Sequence, residues 1–262
     1  MEVLKVLTDY YGSYDEDNRL RSRHGSVEFL TTMRYVEKYL KPGMRVLEIG
    51  AATGRYSHTL ARMGYKVDAV ELVQHNIDIF KANTQPGEDV QIYQGNAKNL
   101  DMLGDDTYDV TLLLGPMYHL FTVPEQLTAL NEAIRVTKKG GVIFAAYCGN
   151  EATMIQYCFG RGMIREPRYQ KLVDPVTFKA ASDPAELFQL YRKEDIDKLL
   201  AVFPVTRLHY VGTDMATNYM RQTIDEMDEE LFQLYLQYHF AICERCDLVG
   251  ASHHILDVFR KD

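Results

Sequence analysis

A carboxylate followed by a loop of small residues is the first feature of this sequence that could do chemistry. In the stretch VLEIGAATGRYS, residues 46–57, Glu48 comes two residues before Gly50, and Ala52 and Gly54 follow at the same interval. Small side chains let a backbone approach a ligand closely, and the N–H groups that begin the next helix can hold an anionic group. The stretch therefore predicts a loop that binds a nucleotide-like cofactor.

Two cofactor chemistries compete for this loop. A dinucleotide fingerprint, G-x-G-x-x-G, needs three glycines, and one that starts at Gly50 would meet Ala52 and Arg55 instead of the second and third. The sequence matches the alternative pattern, G-x-G-x-G with a carboxylate two residues earlier, at every position except Ala52. We expect Ala52 to have an ordinary backbone φ, because a left-handed conformation would cost its side chain about 1–2 kcal/mol. The loop should then still bind, since a single methyl group can be accommodated.

Strands and helices alternate around this loop. Short apolar runs separated by helical patterns predict βαβ units, and hence a parallel sheet covered on both faces. After residue 148 the alternation breaks, and residues 149–200 contain helical pieces and prolines without a clear strand. The predicted strands are 44–50, 65–72, 90–97, 108–115, 142–148, 205–213 and 252–261, and the predicted helices are 24–40, 54–64, 73–84, 123–141 and 224–245.

The predicted fold class is therefore α/β. We expect a Rossmann-like, seven-stranded and mostly parallel sheet with helices on both faces and a cap insertion before strand six. The chain divides into an N-terminal helical lid (1–40), a cofactor-binding core (41–148), a substrate cap (149–200) and a C-terminal completion of the sheet (201–262). Ligands of open parallel sheets bind beyond the carboxyl ends of the strands, where the strand order reverses, and the loop lies at that point.

Four motifs in order along the chain resemble those of class I S-adenosylmethionine-dependent methyltransferases. They are VLEIGAATGRYS, Glu71 at the end of the next strand, QGNAKNL after the third strand and DVTLLLGPMYHL on the fourth. The resemblance covers about residues 44–148. It extends more loosely to TNYMRQTIDEMDE and GASHHILDVFRK, which are similar to a bacterial branch of small-molecule methyltransferase-like members. It implies S-adenosyl-L-methionine as cofactor and S-adenosyl-L-homocysteine as product.

The resemblance also implies roles for single residues. The ammonium and sulfonium charges of adenosylmethionine favour a nearby carboxylate, the role assigned to Glu48, and Glu71 is placed to accept hydrogen bonds from both ribose hydroxyls. Asn96 stands where many members have aspartate; its amide oxygen can accept from the adenine amino group, and a plain strand-end turn is the alternative. The implied cofactor-binding residues are Glu48, Gly50, Ala51, Ala52, Gly54, Tyr56, Glu71, Leu72, Asn96, Ala97, Leu114 and Gly115.

Methyl transfer is an in-line displacement from sulfur, so the protein mainly aligns the acceptor and, where needed, removes its proton. His119 and Tyr118 follow strand four and are the candidate catalytic residues; a structural histidine is the alternative. The tyrosine-rich N-terminus and the arginines of the insertion are candidates for a lid and for an anion-binding substrate site, with a solvated surface as the alternative. The candidate substrate residues are Tyr11, Tyr14, Arg19, Arg165, Tyr191 and Arg192.

Composition limits the possible partners. With 46% hydrophobic residues the chain can build a sizeable core, and its net charge of −8 disfavours a surface for nucleic acid or anionic lipid. No run of about 18 apolar residues is present, and residues 1–17 lack the pattern of a signal peptide. Cys243 and Cys246 form one C-x-x-C without a second ligand pair. We therefore expect reduced thiols, no metal site, and a cytoplasmic monomer or homodimer.

Several functions remain open at this level. The leading hypothesis is a methyltransferase that acts on O, N or C of a small molecule. A protein or RNA acceptor is the second, although the acidic balance disfavours RNA. A nicotinamide-dependent dehydrogenase and a non-catalytic adenosylmethionine-binding protein are alternatives from other classes. The sequence does not name the acceptor.

Overall fold

The computed structural model describes residues 2–12 and 22–262. A single sheet of eight strands forms the centre of this part of the chain. Its strands are β1 (Arg45–Ile49), β2 (Lys66–Glu71), β3 (Val90–Gln94), β4 (Tyr108–Leu113), β5 (Thr137–Gly149), β6 (Leu190–Tyr191), β7 (Val205–Gly212) and β8 (His254–Lys261).

Seven of these strands follow one another in the order β3-β2-β1-β4-β5-β8-β7. The first five pair in parallel, and β8 lies antiparallel between β5 and β7. This confirms the predicted α/β class with a mostly parallel sheet. The predicted number of seven strands is wrong by one, because β6 pairs with Cys148 and Gly149 at the end of β5. Two residues are too few to produce a periodic pattern.

Helices cover both faces of the sheet. The longer ones are α1 (Glu2–Tyr11), α2 (Arg23–Glu37), α3 (Arg55–Arg62), α4 (Gln74–Asn83), α5 (Val123–Val136), α6 (Lys193–Leu200) and α7 (Glu229–Ile242). Side chains alternate along each strand, so neighbouring positions enter different cores. Val46, Leu112 and Phe144 pack with residues of α2 and α3, whereas Leu47 and Ile143 pack with residues of α5 and α6. None of the helices in these described ranges is long and apolar enough to cross a membrane.

Two helix ends were predicted wrongly. The sequence predicts that helix 123–141 ends at a pair of glycines, but α5 ends at Val136 and β5 begins at Thr137. Thr137 is buried, its hydroxyl hydrogen-bonds Thr111 at 2.7 Å, and its backbone pairs with Tyr108. Pairing with β4 therefore takes this residue into the sheet. The helix predicted over 224–245 also ends early, because α7 stops at Ile242; Cys243 caps it, and the rest of the C-x-x-C motif lies beyond it, with Cys246 exposed.

The segment between β5 and β7 is only partly regular. It holds short helical turns at Asn150–Thr153, Met154–Phe159 and Pro167–Gln170, followed by β6 and α6. Its role as a substrate cap stays a prediction, as does the division of the chain into a lid, a core and a completing segment.

Candidate functional site

The loop after β1 lies where the strand order reverses, between β1 and β4. The backbone N–H groups of Gly50 and Ala51 both donate to the carbonyl oxygen of Val70, at 2.8 and 3.1 Å, which ties the loop to β2. Gly50, Ala52 and Gly54 have φ values of 78°, 47° and 91°. Three left-handed residues at alternate positions form a tight bend that brings backbone, rather than side chains, to the cavity wall.

The ordinary φ expected for Ala52 is therefore wrong. Its backbone is left-handed and is held so by a hydrogen bond from its N–H to the Glu71 carboxylate, at 2.9 Å. The sequence shows that a glycine is replaced, but it does not show that the tertiary contact to Glu71 keeps the backbone left-handed.

This geometry makes Ala52→Gly a stabilising or neutral change. Glycine relieves about 1–2 kcal/mol of left-handed strain and costs about 0.4–1 kcal/mol through the entropy of the unfolded chain. We expect the free energy of unfolding, measured by urea denaturation, to stay level or rise by about 1 kcal/mol. Ala51→Gly is the matched control, since Ala51 is buried and has no positive φ, and it should lower stability. A loss of stability in Ala52→Gly equal to that of the control would contradict the strain argument.

Glu71, the last residue of β2, organises the loop and the next helix. One carboxylate oxygen accepts from Ala52 N–H at 2.9 Å, and the other accepts from Val73 N–H at 2.9 Å and from the Asn76 amide at 3.3 Å. Burial raises its pKa and these hydrogen bonds lower it, with a net rise. The carboxylate lines the cavity beside the loop, where its remaining lone pairs can accept hydroxyl protons.

Glu48 lies on the same cavity wall, 1% exposed. Its carboxylate accepts from the backbone N–H of Ser57 at 2.9 Å and from the Ser57 hydroxyl, in the first turn of α3. Burial raises its pKa to about 8, against the lowering effect of the two Ser57 hydrogen bonds, and the charge of Glu71 adds to the rise. A cationic ligand beside Glu48 would favour the ionised form.

The cavity around these carboxylates, here called the first chamber, has a volume of about 510 Å³. Most of the cofactor residues predicted from the sequence line it: Glu48, Gly50, Ala51, Ala52, Tyr56, Glu71, Leu72, Asn96, Ala97, Leu114 and Gly115. Gly54 does not line it. A Cβ at Gly54 would lie 2.5 Å from Phe80 and 2.6 Å from His58, so this glycine permits packing of the loop rather than contact with a ligand.

The Asn96 side chain stabilises a turn at the end of a strand, which was the alternative to a role in adenine binding. Its side-chain oxygen accepts from the backbone N–H of Lys98 at 3.0 Å, and the residue still lines the first chamber. The sequence reasoning missed several lining residues: Leu7, Val73, Asn76, Lys98, Thr122 and Glu125. Lys98 and Glu125 form an ion pair of 2.6 Å. No local sequence pattern predicts this pair, because Glu125 belongs to α5, which is remote from Lys98 in the chain.

His119 and Tyr118 lie at the far end of the first chamber. His119 Nδ1 donates to the carbonyl of Leu187 at 3.0 Å, so its Nε2 carries the lone pair and accepts the Tyr11 hydroxyl at 2.8 Å. Burial lowers the pKa of His119 to about 4. The Tyr118 hydroxyl donates to the Leu114 carbonyl at 2.9 Å. His119 is thus neutral at physiological pH and holds Tyr11 from α1 over the chamber.

The other predicted substrate residues lie elsewhere. Tyr14 and Arg19 fall outside the described residues. Tyr191 is 2% exposed and donates its hydroxyl to the Met117 carbonyl at 2.7 Å, so it is a core residue. Arg192 pairs with Glu151 and donates to the Thr177 carbonyl at 2.7 Å, and Arg165 is exposed. The side chains that line the two chambers of the described structure do not include these three, so we no longer assign them to substrate.

A second chamber of about 420 Å³ adjoins the first, and Tyr11 and Tyr118 line both. Its walls combine aromatic rings, including Tyr157 and Phe188, with polar groups from α2 and from the segments that flank β7 and β8. Apart from Tyr11 and Tyr118, no residue of this wall was predicted from the sequence as a site residue. The adjacent histidines His253 and His254 were a usable signal, because neighbouring imidazoles suit metal binding.

Comparison with known proteins points to one family. Residues 46–141 match the family described as "Methyltransferase domain". The chain is 29% identical over 147 residues to the demethylmenaquinone methyltransferase of Lysinibacillus sphaericus, covering 54% of this chain and 58% of that protein. It is 28% identical over 148 residues to the ubiquinone biosynthesis O-methyltransferase of Methylocella silvestris, covering 56% and 55%. The alignments thus span little more than half of these curated relatives.

Solved structures share the fold. The magnesium protoporphyrin IX methyltransferase of Synechocystis, solved with bound SAH, superposes with a TM-score of 0.57 at 14% identity, covering 79% of this chain and 91% of that chain.

Proposed function

We propose that the chain transfers a methyl group from S-adenosyl-L-methionine to a small molecule, as a class I methyltransferase; the match of residues 46–141 to the family described as "Methyltransferase domain" and the motifs of the sequence support this. The observation that carries the proposal is the pair of joined chambers. The first holds two buried carboxylates beside a left-handed loop, and the second adjoins it, with Tyr11 and Tyr118 lining both. A donor and an acceptor can therefore occupy neighbouring spaces.

The first chamber suits the donor, S-adenosyl-L-methionine. Glu71 is placed to accept from the ribose hydroxyls, and Asn96 and Ala97 lie where the adenine would extend. The N-terminus of α3 and the N–H groups of the loop suit the amino acid carboxylate. Glu48 supplies negative charge for the cationic part of the cofactor.

The second chamber suits an acceptor of modest size that carries an aromatic ring. Its volume is within the range of small-molecule sites, and Tyr10, Tyr157 and Phe188 offer ring faces. Of the two curated relatives described above, one is named a demethylmenaquinone methyltransferase and the other, which supports an oxygen acceptor, a ubiquinone biosynthesis O-methyltransferase. We therefore propose a hydroxylated or quinol-type ring as the acceptor class, with oxygen as the methylated atom.

Alignment, rather than a strong base, would accelerate the reaction. The methyl group is already bound to an excellent leaving group, and holding the acceptor in line supplies much of the remaining effect. His119, with a pKa lowered to about 4, is a weak base at neutral pH. Its contribution is to position Tyr11, which lines both chambers.

Adenosylmethionine binding at pH 7 should release a proton. Glu48, whose pKa burial raises to about 8, is largely protonated in the free protein and becomes ionised beside the cationic cofactor. Affinity should therefore rise with pH up to about 8, by no more than about tenfold per pH unit. Titration calorimetry in two buffers of different ionisation enthalpy measures the released proton. In Glu48→Gln the buffer dependence should vanish; its persistence would assign the proton to another group.

The proposal is tested by thermal shift with adenosylmethionine, adenosylhomocysteine and NAD in parallel, followed by a screen of phenols and quinols with labelled methyl donor. Stabilisation by the two adenosyl compounds and transfer of label to a phenolic oxygen are expected. Stabilisation by NAD alone would favour a dehydrogenase. Cofactor binding without label transfer to any small molecule, peptide or RNA would favour a binding protein without catalysis.

A further inference from the structure

Four metal-ligating side chains converge in the wall of the second chamber. They are Glu28 of α2, Asp214 after β7, and His253 and His254 at the start of β8. Because β8 runs antiparallel to β5, its first residues lie at the same sheet edge as the carboxyl end of β5. This edge also carries the cofactor loop. Four residues from three distant parts of the chain thus meet beside the proposed acceptor.

The distances between their ligand atoms match those around a bound ion. His254 Nδ1 lies 2.9 Å from an Asp214 carboxylate oxygen, 3.2 Å from a Glu28 carboxylate oxygen and 3.4 Å from His253 Nδ1. His253 Nδ1 lies 3.9 Å from the same Asp214 oxygen. Ligands bound at about 2.1 Å to a tetrahedral ion are about 3.4 Å apart. The ligand atoms of Asp214, His253 and His254 all lie within 4.8 Å of one another, so a single ion fits among these three. Glu28, whose carboxylate lies 3.2 Å from His254 Nδ1, would become the fourth ligand through a side-chain movement.

The surroundings orient these ligands toward one another. The second carboxylate oxygen of Asp214 accepts from the Ser252 hydroxyl at 2.7 Å and from the backbone N–H groups of His253 and His254 at 2.9 and 3.1 Å. This leaves its other oxygen facing the imidazoles. The His254 carbonyl accepts from Thr213 N–H at 3.0 Å, which fixes the backbone of the pair. Such supporting hydrogen bonds are a regular feature of metal sites.

We propose that Glu28, Asp214, His253 and His254 bind a divalent first-row transition metal ion in the second chamber. The mixture of imidazole and carboxylate ligands favours Zn²⁺, Mn²⁺ or Fe²⁺ over Mg²⁺ and Ca²⁺, which prefer oxygen ligands alone. The side chains of the four residues are 8–19% exposed, so they are accessible from the chamber and shielded from bulk water. A proton shared between His254 and the two carboxylates is the competing occupant of this space.

The ion would act on the acceptor, a step that rests on the proposed function. An acceptor hydroxyl bound to the metal has a lowered pKa, so its proton passes to solvent water before transfer. The oxygen lone pair then forms the new O–CH₃ bond, the C–S bond breaks, and its electron pair stays on sulfur to give the neutral thioether. No strong protein base is needed, which agrees with the weak basicity of His119.

Metal binding is measured on the untagged full chain after treatment with a chelator. Titration calorimetry with Zn²⁺, Mn²⁺ or Mg²⁺ alone should show one saturable site, tightest for Zn²⁺ and weakest for Mg²⁺. The Co²⁺-loaded wild-type protein should show visible absorption bands shifted and intensified relative to aqueous Co²⁺. Because that spectrum needs no variant, it tests the site even where a substitution impairs folding. Failure of both measurements would overturn the proposal and favour the shared proton.

Variants identify the ligands. His253→Gln and Glu28→Gln should each weaken Zn²⁺ binding by at least about tenfold. His24→Gln is the matched control: His24 lines the same chamber but pairs with Asp225 at 2.7 Å, outside the cluster. Its Zn²⁺ affinity should equal that of the wild type. Unchanged binding in His253→Gln, or an equal loss in His24→Gln, would place the metal elsewhere.

The same samples separate this proposal from the proposed function. Adenosylmethionine binding is measured on metal-free protein. Retained cofactor binding without a His253-dependent metal site would refute the metal site alone. A His253-dependent site in a protein that binds no adenosylmethionine would refute the proposed function alone.

Discussion

Replacement of Gly50 by valine should give a folded protein that no longer binds adenosylmethionine. Gly50 has a φ of 78°, and a Cβ there would lie 2.7 Å from the Pro116 ring and 3.4 Å from Gly115 Cα. The strained backbone costs about 1–2 kcal/mol and the crowding about 1–3 kcal/mol. Their sum stays below the stability of an ordinary domain, about 5–15 kcal/mol. The loops at 50 and 116 must separate, and both line the first chamber.

We expect the affinity for adenosylmethionine, measured by titration calorimetry, to fall by more than about 100-fold, which is about 2.7 kcal/mol. Gly87→Val is the matched control, because Gly87 has a φ of 91° with no atom within 4 Å of an added Cβ. The Gly87→Val variant has the same backbone strain as Gly50→Val but no crowding of the added side chain, and position 87 lies away from the chamber. It should lose stability and keep wild-type affinity. Wild-type affinity in Gly50→Val would remove the loop from the cofactor site.

Loss of the Glu71 carboxylate should weaken adenosylmethionine binding by a similar factor. In Glu71→Ala the ribose hydroxyls would lose the acceptor that we propose for them, and the N–H groups of Ala52 and Val73 lose the partner that holds the loop. Hydrogen bonds to a charged group contribute about 1.5–3 kcal/mol each. The affinity for adenosylmethionine should therefore fall about 100-fold or more, as measured by calorimetry.

A comparison of ligands shows which part of the cofactor Glu71 contacts. Adenosine has the ribose without the charged amino acid, so Glu71→Ala should weaken adenosine and adenosylmethionine alike. Glu48→Gln should weaken adenosylmethionine and leave adenosine unchanged. Asp78→Ala is the control, since it removes an exposed carboxylate of α4 that is bonded to Gln74 at 2.7 Å. Selective loss of adenosylmethionine in Glu71→Ala would contradict the ribose assignment.

Much of the first chamber could be predicted because its parts are local. Glu48 to Gly54 are consecutive residues at the end of a strand, and Glu71 ends the next strand along the chain. Parallel pairing of β1 with β2 brings these ends to one edge. A periodic apolar pattern is enough to predict both strands, so the carboxylates and the small-residue loop follow from it.

Residues of the insertion could not be assigned in this way. Tyr191 and Arg192 were candidates for a substrate site because the arginines of the insertion could bind an anionic acceptor. The structure buries Tyr191 against Met117 and pairs Arg192 with Glu151. The partners lie 74 and 41 positions away in the chain. No pattern within the insertion specifies them, because each depends on how the segment packs against β5 and the turn after β4.

The amino-acid sequence by itself thus determined the α/β sheet, the small-residue loop after β1 and the position of the carboxylates Glu48 and Glu71 beside it, since periodicity and strand-end position are properties of neighbouring residues. Only the tertiary structure decided the left-handed backbone of Ala52 and the second chamber with its cluster of Glu28, Asp214, His253 and His254. The physical reason is the same in both cases. A hydrogen bond from the Ala52 N–H to the Glu71 carboxylate imposes the first, and the return of β8 beside β5 brings together side chains that are far apart in the chain.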